Sequence, residues 1–258
     1  MAFEKNSIDL SKEYFMKYIV SFIVLCLAIS PMHGNNIFEG STSVSFGITT
    51  FLLNGTNPAN QKIFPKESEG AIGGGFPNWQ SGFSIKGVVG IDKNNTYRIP
   101  FGLDYFIMNG VQRLPDKYYT IQANHTIHIP TLFSGFEYAF ATLPLANAKA
   151  YAGIDLRLSM LAPTELEVSL DYVKPDFPDT TRYFGKSGAS RFGTSVKLGI
   201  EGLVEDNWSV NISTGYTVFN LLGRDNTRGE LFTPSAVTET VESIIGAITT
   251  TVLVQYRF

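Results

Sequence analysis

Hydrophobic and polar positions alternate with period two along much of this chain. Over 149–160 one parity reads Lys149, Tyr151, Gly153, Asp155, Arg157 and Ser159, and the other Ala150, Ala152, Ile154, Leu156, Leu158 and Met160. The division recurs over 192–204, where Phe192, Val196, Leu198, Ile200 and Val204 alternate with Gly193, Ser195, Lys197, Gly199 and Glu201. Over 208–218, Trp208, Val210, Ile212, Tyr216 and Val218 alternate with Ser209, Asn211, Ser213, Gly215 and Thr217. A helix would scramble these sets, whereas successive residues of a strand point to opposite faces.

Applied throughout, the template predicts strands at 42–54, 81–92, 96–109, 126–141, 148–161, 190–204, 207–222 and 244–258. Most are longer than a globular strand and suit one tilted across a bilayer, which needs about 9–11 residues for the apolar band. The connections after the second, fourth and sixth strands are short, while those after the others run from about 16 to 28 residues. Strict alternation of short and long connections predicts an all-β fold, an eight-stranded antiparallel up-and-down transmembrane β-barrel with both chain ends on the short-turn rim. A ten-stranded version is the alternative. In it Glu165–Tyr172, with Glu165, Glu167 and Asp171 on one parity, pairs with 118–124; the same segment could instead form a hairpin above the membrane.

Alternation alone does not say which face meets lipid. The apolar parity carries no Asp, Glu, Lys or Arg in any strand but the fourth, as a lipid-facing surface requires, since a midplane Arg or Lys there costs about 2–4 kcal/mol. In the fourth strand Ile127 and Ile129 lie on one parity and Phe136, Tyr138 and Phe140 on the other, so a bulge near Pro130 is expected to switch faces. Six aromatics, Tyr97, Tyr138, Phe140, Phe192, Trp208 and Tyr256, are assigned to the short-turn rim as a headgroup-level girdle.

Carried to the other face, the parity sends Lys86, Asp92, Arg98, Asp104, Glu137, Lys149, Asp155, Arg157, Lys197, Glu201 and Arg257 into the bore. The bore of an eight-stranded barrel is just wide enough for side chains to fill, so these groups are expected to pair and plug it. An ion-pair network of Lys86, Arg98, Asp104, Glu137, Asp155, Arg157, Lys197, Glu201 and Arg257 follows. The functional alternative is a narrow ion path gated at a pair such as Arg157 with a carboxylate, making a small channel or transporter.

Composition narrows the classes further. The 258 residues carry 20 basic and 23 acidic side chains, a net charge of -3, with 17% charged and 13% aromatic. Near neutrality without a basic run argues against nucleic acid as a partner. The apolar stretch 19–29 has the length of a secretory signal core and is too short for a membrane helix. Residues 1–34 are read as signal peptide and preceding segment, with translation from Met16 and cleavage between Ser30 and Asn36, and 35–258 as the barrel domain. The single cysteine, Cys26, follows Val24-Leu25 rather than a small residue, so no lipid anchor is expected.

The last strand places Val252, Val254, Tyr256 and Phe258 in an apolar row ending on a terminal aromatic. This row resembles the assembly signal of bacterial outer-membrane barrels. With the order of loops, it makes the mature chain similar to the small outer-membrane β-barrel family of OmpA/OmpX type. The resemblance implies export to a Gram-negative envelope and insertion by the barrel-insertion machinery through that strand. It also implies a monomer surrounded by outer-membrane lipid and lipopolysaccharide, with a structural or adhesion role for the surface loops. No peptidoglycan-binding domain follows Phe258, so cell-wall anchoring is not expected.

No catalytic residue, cofactor or metal site is expected. His125 and His128 are three apart and point to opposite faces of a strand, which disfavours a shared metal. Neither is followed by the serine of the His-x-Ser arrangement that lipid A deacylase barrels carry, so a lipid-modifying enzyme is the least favoured class. The run Ile72-Gly73-Gly74-Gly75-Phe76-Pro77 lacks the Lys-Ser/Thr of a phosphate loop and reads as surface loop.

Overall fold

The structure is a computed structural model, and the residues it describes are 39–54, 59, 76, 79–115, 118–172, 180–183, 185–233 and 241–258. The expected signal segment and its cleavage site lie outside them. The chain forms strands β1 (Thr42–Leu53), β2 (Gln80–Gly90), β3 (Tyr97–Pro115), β4 (Tyr119–Leu143) and β5 (Ala148–Leu161). There follow β6 (Glu165–Tyr172), β7 (Thr180–Tyr183), β8 (Ala189–Glu205), β9 (Trp208–Leu222) and β10 (Gly246–Arg257).

Eight of these strands close into a ring. All pairings are antiparallel: β1 bonds β2 and β10, β2 bonds β3, β3 bonds β4, β4 bonds β5, β5 bonds β8, β8 bonds β9, and β9 bonds β10. Closure leaves no edge along the barrel wall. The last residue is tied in as well, since Phe258 N–H donates to the Thr42 carbonyl at 2.9 Å.

Strands β6 and β7 stand outside the ring. β6 pairs with the first part of β4, from Tyr119↔Tyr172 to Thr126↔Glu165, and β7 pairs with β6. The pairing foreseen for a ten-stranded barrel therefore exists, but as a sheet projecting from an eight-stranded one. It changes a second expectation too. The long connection after the third predicted strand is mostly strand, because β3 and β4 continue in unbroken register from Tyr105↔Pro130 to Pro115↔Thr120. Beyond the membrane one face no longer needs to be apolar, so the alternation fades while the ladder continues.

The expected bulge at Pro130 is corrected. β4 keeps its parity through Pro130, and its register shift against β5 falls between Ala139 and Ala141. Ile127 and Ile129 face the bore together with Thr131, Phe133 and Glu137, so the lining changes character along the strand without changing sides. Proline is tolerated at 130 because β4 changes partner there: its pairing with β5 starts at Thr131 and its pairing with β6 ends at Thr126.

The aromatic assignment needs one correction. Tyr97, Tyr138, Phe140, Trp208 and Tyr256 lie at the short-turn rim, where Tyr97 stacks on Tyr138 at 5.5 Å and Trp208 meets Tyr256 edge-on at 5.0 Å. Phe192 sits at the opposite rim, near the start of β8 and across from Leu158 and Leu222.

Candidate functional site

From the short-turn rim upward the bore has three layers. The lowest is ionic. Lys86 on β2 donates to Glu137 on β4 at 2.6 Å, and Glu137 also has Lys197 at 3.1 Å and Arg98 at 3.3 Å. Lys197 on β8 reaches Asp155 on β5 at 2.8 Å. Arg98 on β3 crosses to Glu201 at 2.5 Å, and Glu201 accepts in addition from Arg257 at 2.7 Å and Gln255 at 3.0 Å. Arg157 pairs with Asp104. The structure thus places all nine candidates in ion pairs within the bore, some between neighbouring strands, as Lys197 with Asp155, and some across the lumen, as Arg98 with Glu201. Every one but Lys197 and Arg257 is buried.

Tyr151 organises the centre of this layer. Its ring is fully buried, with the Arg98 guanidinium 4.6 Å and the Lys86 ammonium 5.2 Å from its centroid, and its hydroxyl donates to Asn211 at 2.7 Å. Gly199 makes room for it: a Cβ there would lie 2.4 Å from the ring's Cζ. An aromatic laid over a neighbouring strand's glycine is a recurrent device of curved sheets.

Asp92 and Lys149, two further residues sent into the bore by parity, stand at the rim instead. Asp92 occupies the β2–β3 turn, where the N–H groups of Tyr97, Thr96 and Asn94 donate to its carboxylate and hold it below the usual carboxylate range. Lys149 donates to the Asn94 carbonyl of the same turn.

Hydroxyls line the middle layer. Thr49 meets Thr251 at 2.9 Å, Thr217 donates to Ser195 at 3.0 Å, and Thr131 meets Ser159 at 3.1 Å. Between them and the ions lies a cavity of about 30 Å³ bordered by Asp104, Asp155 and Arg157, room for about two water molecules.

The upper layer is apolar. Phe51, Phe106, Met108, Ile127, Ile129 and Phe219 point inward from the strands, and Leu231 and Phe232 join them from the connection between β9 and β10. The rings interlock edge to face, Phe51 on Phe106 at 4.9 Å and Phe219 on Phe232 at 5.4 Å. A polar latch fixes the inserted loop. Arg191 grips Glu242 through Nε at 2.9 Å and Nη2 at 2.6 Å, Asn220 donates to Glu242 at 2.8 Å, and Lys186 donates to Thr233 at 2.7 Å.

The sequence reading missed this stopper and its latch. One signal was present for Arg191: it extends the inward row of Gly193, Ser195 and Lys197 by a single step. Leu231, Phe232 and Glu242 belong to a connection, where no periodicity marks a residue as inward.

His125 faces inward, 4.8 Å from the Phe76 ring, while His128 faces outward with its Nδ1 3.0 Å from the Tyr105 hydroxyl. The two rings share no site.

The outer wall decides the barrel's medium. Phe46, Ile48, Leu156, Val196, Leu198 and Ile212 all project outward, and Leu156 is 72% and Ile48 64% exposed. Along the eight predicted strand spans, no outward-facing position holds a charged side chain. A soluble protein rarely exposes more than a few hundred Å² of contiguous apolar surface, far less than a belt around its whole circumference. The fold is that of a transmembrane barrel. No membrane-length apolar helix occurs among the described residues, so the crossing is made by strands.

The crystal structure of Ail, the attachment invasion locus protein of Yersinia pestis, is similar at a TM-score of 0.42 and 12% identity, covering 86% of this chain and 100% of that one. Ail in complex with the heparin analogue sucrose octasulfate gives 0.40 and 11%, over 85% and 99%. Neisserial surface protein A gives 0.37 and 14%, over 85% and 100%. No family model and no curated protein matches the chain. The barrel assignment stands on the closed ring and the uncharged belt.

The terminal row lies on that belt. Val252, Val254 and Phe258 point outward and are exposed, with the Phe258 ring 5.1 Å from Tyr256. This one row of the final strand is therefore presented to the bilayer from the short-turn rim upward, while Leu253 and Gln255 between its members are buried.

Proposed function

We propose that this chain is a monomeric integral barrel of a Gram-negative outer membrane, sealed along its bore, that acts through its surface loops and projecting sheet in a structural or adhesive role. The observation that carries this reading is the filled bore: an ionic layer and an apolar stopper lie in series, separated by a layer of hydroxyls and space for about two water molecules. With the lumen occupied by side chains, the surfaces left for partners are those beyond the membrane, where loops and added strands vary freely. The short-turn rim faces the periplasm, and the row Val252, Val254, Tyr256 and Phe258 serves the insertion machinery. Phospholipid and lipopolysaccharide cover the belt, and no catalytic chemistry, cofactor or metal is assigned.

Fractionation with heat-dependent gel mobility tests the membrane part of the proposal. The expected result is an outer-membrane protein whose unboiled and boiled forms migrate differently; a detergent-independent periplasmic protein would overturn it. Planar-bilayer recording tests the seal. Pure protein is expected to stay silent, and steady openings of uniform size would establish a channel instead.

A further inference from the structure

The outer wall is not evenly filled. On the lipid-facing side of β4, β5, β8 and β9, near the short-turn rim, lies an open apolar hollow of about 640 Å³ bordered by Phe140, Ala146, Ala150, Ile200, Gly202 and Val210. Two independent features make it. Phe140 keeps the outward parity of Phe136 and Tyr138, and the register shift between Ala139 and Ala141 leaves it without a partner on β5, where it stands as a side wall, 54% exposed. The floor is made of small residues, and Gly202 is small without being forced to be: a Cβ there would meet nothing nearer than the Cβ atoms of Ala146 and Ala148, at 3.9 Å. Contrast Gly199 three residues earlier, where the same addition would strike the Tyr151 ring. The Gly202 hollow is left open by the packing.

We propose that this hollow seats an acyl chain of a phospholipid with an ammonium headgroup, of the phosphatidylethanolamine type, drawn from the leaflet on the short-turn side. This rests on the membrane reading above. The hollow is continuous with the apolar belt, so hydrocarbon is the medium it meets, and a lining this apolar gives water no partners. Its position sets the leaflet, since Ala146 lies in the β4–β5 turn and Val204 precedes the β8–β9 turn. Its charge sets the headgroup. Glu205, the last residue of β8, and Asp206, in that second turn, are both exposed and stand between the lining residues Val204 and Val210. Two carboxylates at headgroup level attract an ammonium and repel an anionic glycerol headgroup.

The test uses the full barrel reconstituted into vesicles of equal phosphatidylethanolamine and phosphatidylglycerol, extracted into mild detergent and weighed by native mass spectrometry. The expected result is one phosphatidylethanolamine retained per barrel. Gly202→Leu, which fills the floor with an outward apolar side chain, should lower retention about tenfold, the equivalent of displacing roughly two buried methylene groups. Glu205→Gln with Asp206→Asn should keep a lipid but abolish the preference between headgroups. Heat-dependent mobility is read on every variant. If Gly202→Leu loses it, Ala150→Leu supplies the filled hollow. Equal lipid retention by the filled and parent barrels overturns the proposal, as does equal retention of both headgroups by the parent. A concentration-dependent dimer that the filling substitution abolishes also overturns it and assigns the hollow to a second copy. A chain that never acquires heat-dependent mobility in vesicles fails the membrane reading itself, a result distinct from all of these.

Discussion

Glu137 has no exposed surface and faces three cations, Lys86, Lys197 and Arg98, so its charge holds together groups from three other strands. Removing one member of a buried ionic cluster leaves the others uncompensated in a poorly solvated place, which costs about 3–5 kcal/mol. Glu137→Ala is therefore expected to lower stability by about that amount in equilibrium unfolding from lipid vesicles. A change below about 1 kcal/mol would mean that water already screens the cluster. Restoring balance by also replacing Lys86 should recover part of the loss, because the pair is coupled. These nine residues were legible in the sequence for a simple reason. A charge on the inward parity of a membrane strand has no alternative but the bore, so position two residues from position two residues suffices to place it. Which cation meets which carboxylate was not legible, since Arg98 and Glu201 lie on strands brought together only across the lumen.

At the scale of elements, periodicity speaks only where lipid enforces it. The eight membrane-crossing segments were readable because a single misplaced charge would be costly there, whereas the upper parts of β3 and β4 and the added β6 and β7 form without that constraint. The inserted connection between β9 and β10 illustrates the same limit, since its apolar residues look like ordinary loop composition until Leu231 and Phe232 are seen inside. Its latch has a definite pH response. Burial pushes the Glu242 carboxyl up, but Arg191, the Asp225 N–H and Asn220 outweigh burial and leave it below the usual carboxylate range. A group with a depressed folded pKa contributes stability above its unfolded value and loses it as pH falls through the folded one. The loop is thus expected to stay docked at pH 5 and to loosen only at strongly acid pH, read as protease cleavage between 223 and 245. Arg191→Gln should make the loop cleavable already at neutral pH. Release at pH 6 in the parent chain would show that another group controls the latch.

The final strand carries a prediction that separates folding from delivery. Phe258 is 63% exposed and contributes one backbone bond, to Thr42, together with a ring contact to Tyr256. Deleting it should remove little from the finished barrel, which keeps the β1–β10 ladder from Ser43↔Arg257 to Leu53↔Ala247. If the terminal row serves the insertion machinery, the truncated chain should refold in detergent with normal heat-dependent mobility yet reach the membrane poorly in cells. Equal losses in both settings would make the residue structural.

For the whole molecule, the arrangement of two unlike seals in one bore matters more than either alone. The upper seal is held by apolar contact and a loop latch, the lower by charges on the wall itself, so no single substitution is expected to open a path. Replacing Leu231 and Phe232 with serine should hydrate the mouth and leave bilayer conductance at baseline, because the cations and carboxylates below still fill the cross-section. Replacing Arg157 and Asp104 with serine should do likewise, since the pair leaves together and no lone charge is stranded, while the stopper above stays shut. Only the fourfold variant is expected to give discrete openings. Current in either double variant would show that one layer alone had been the gate, and silence in all three would locate the obstruction in the remaining ions around Glu137.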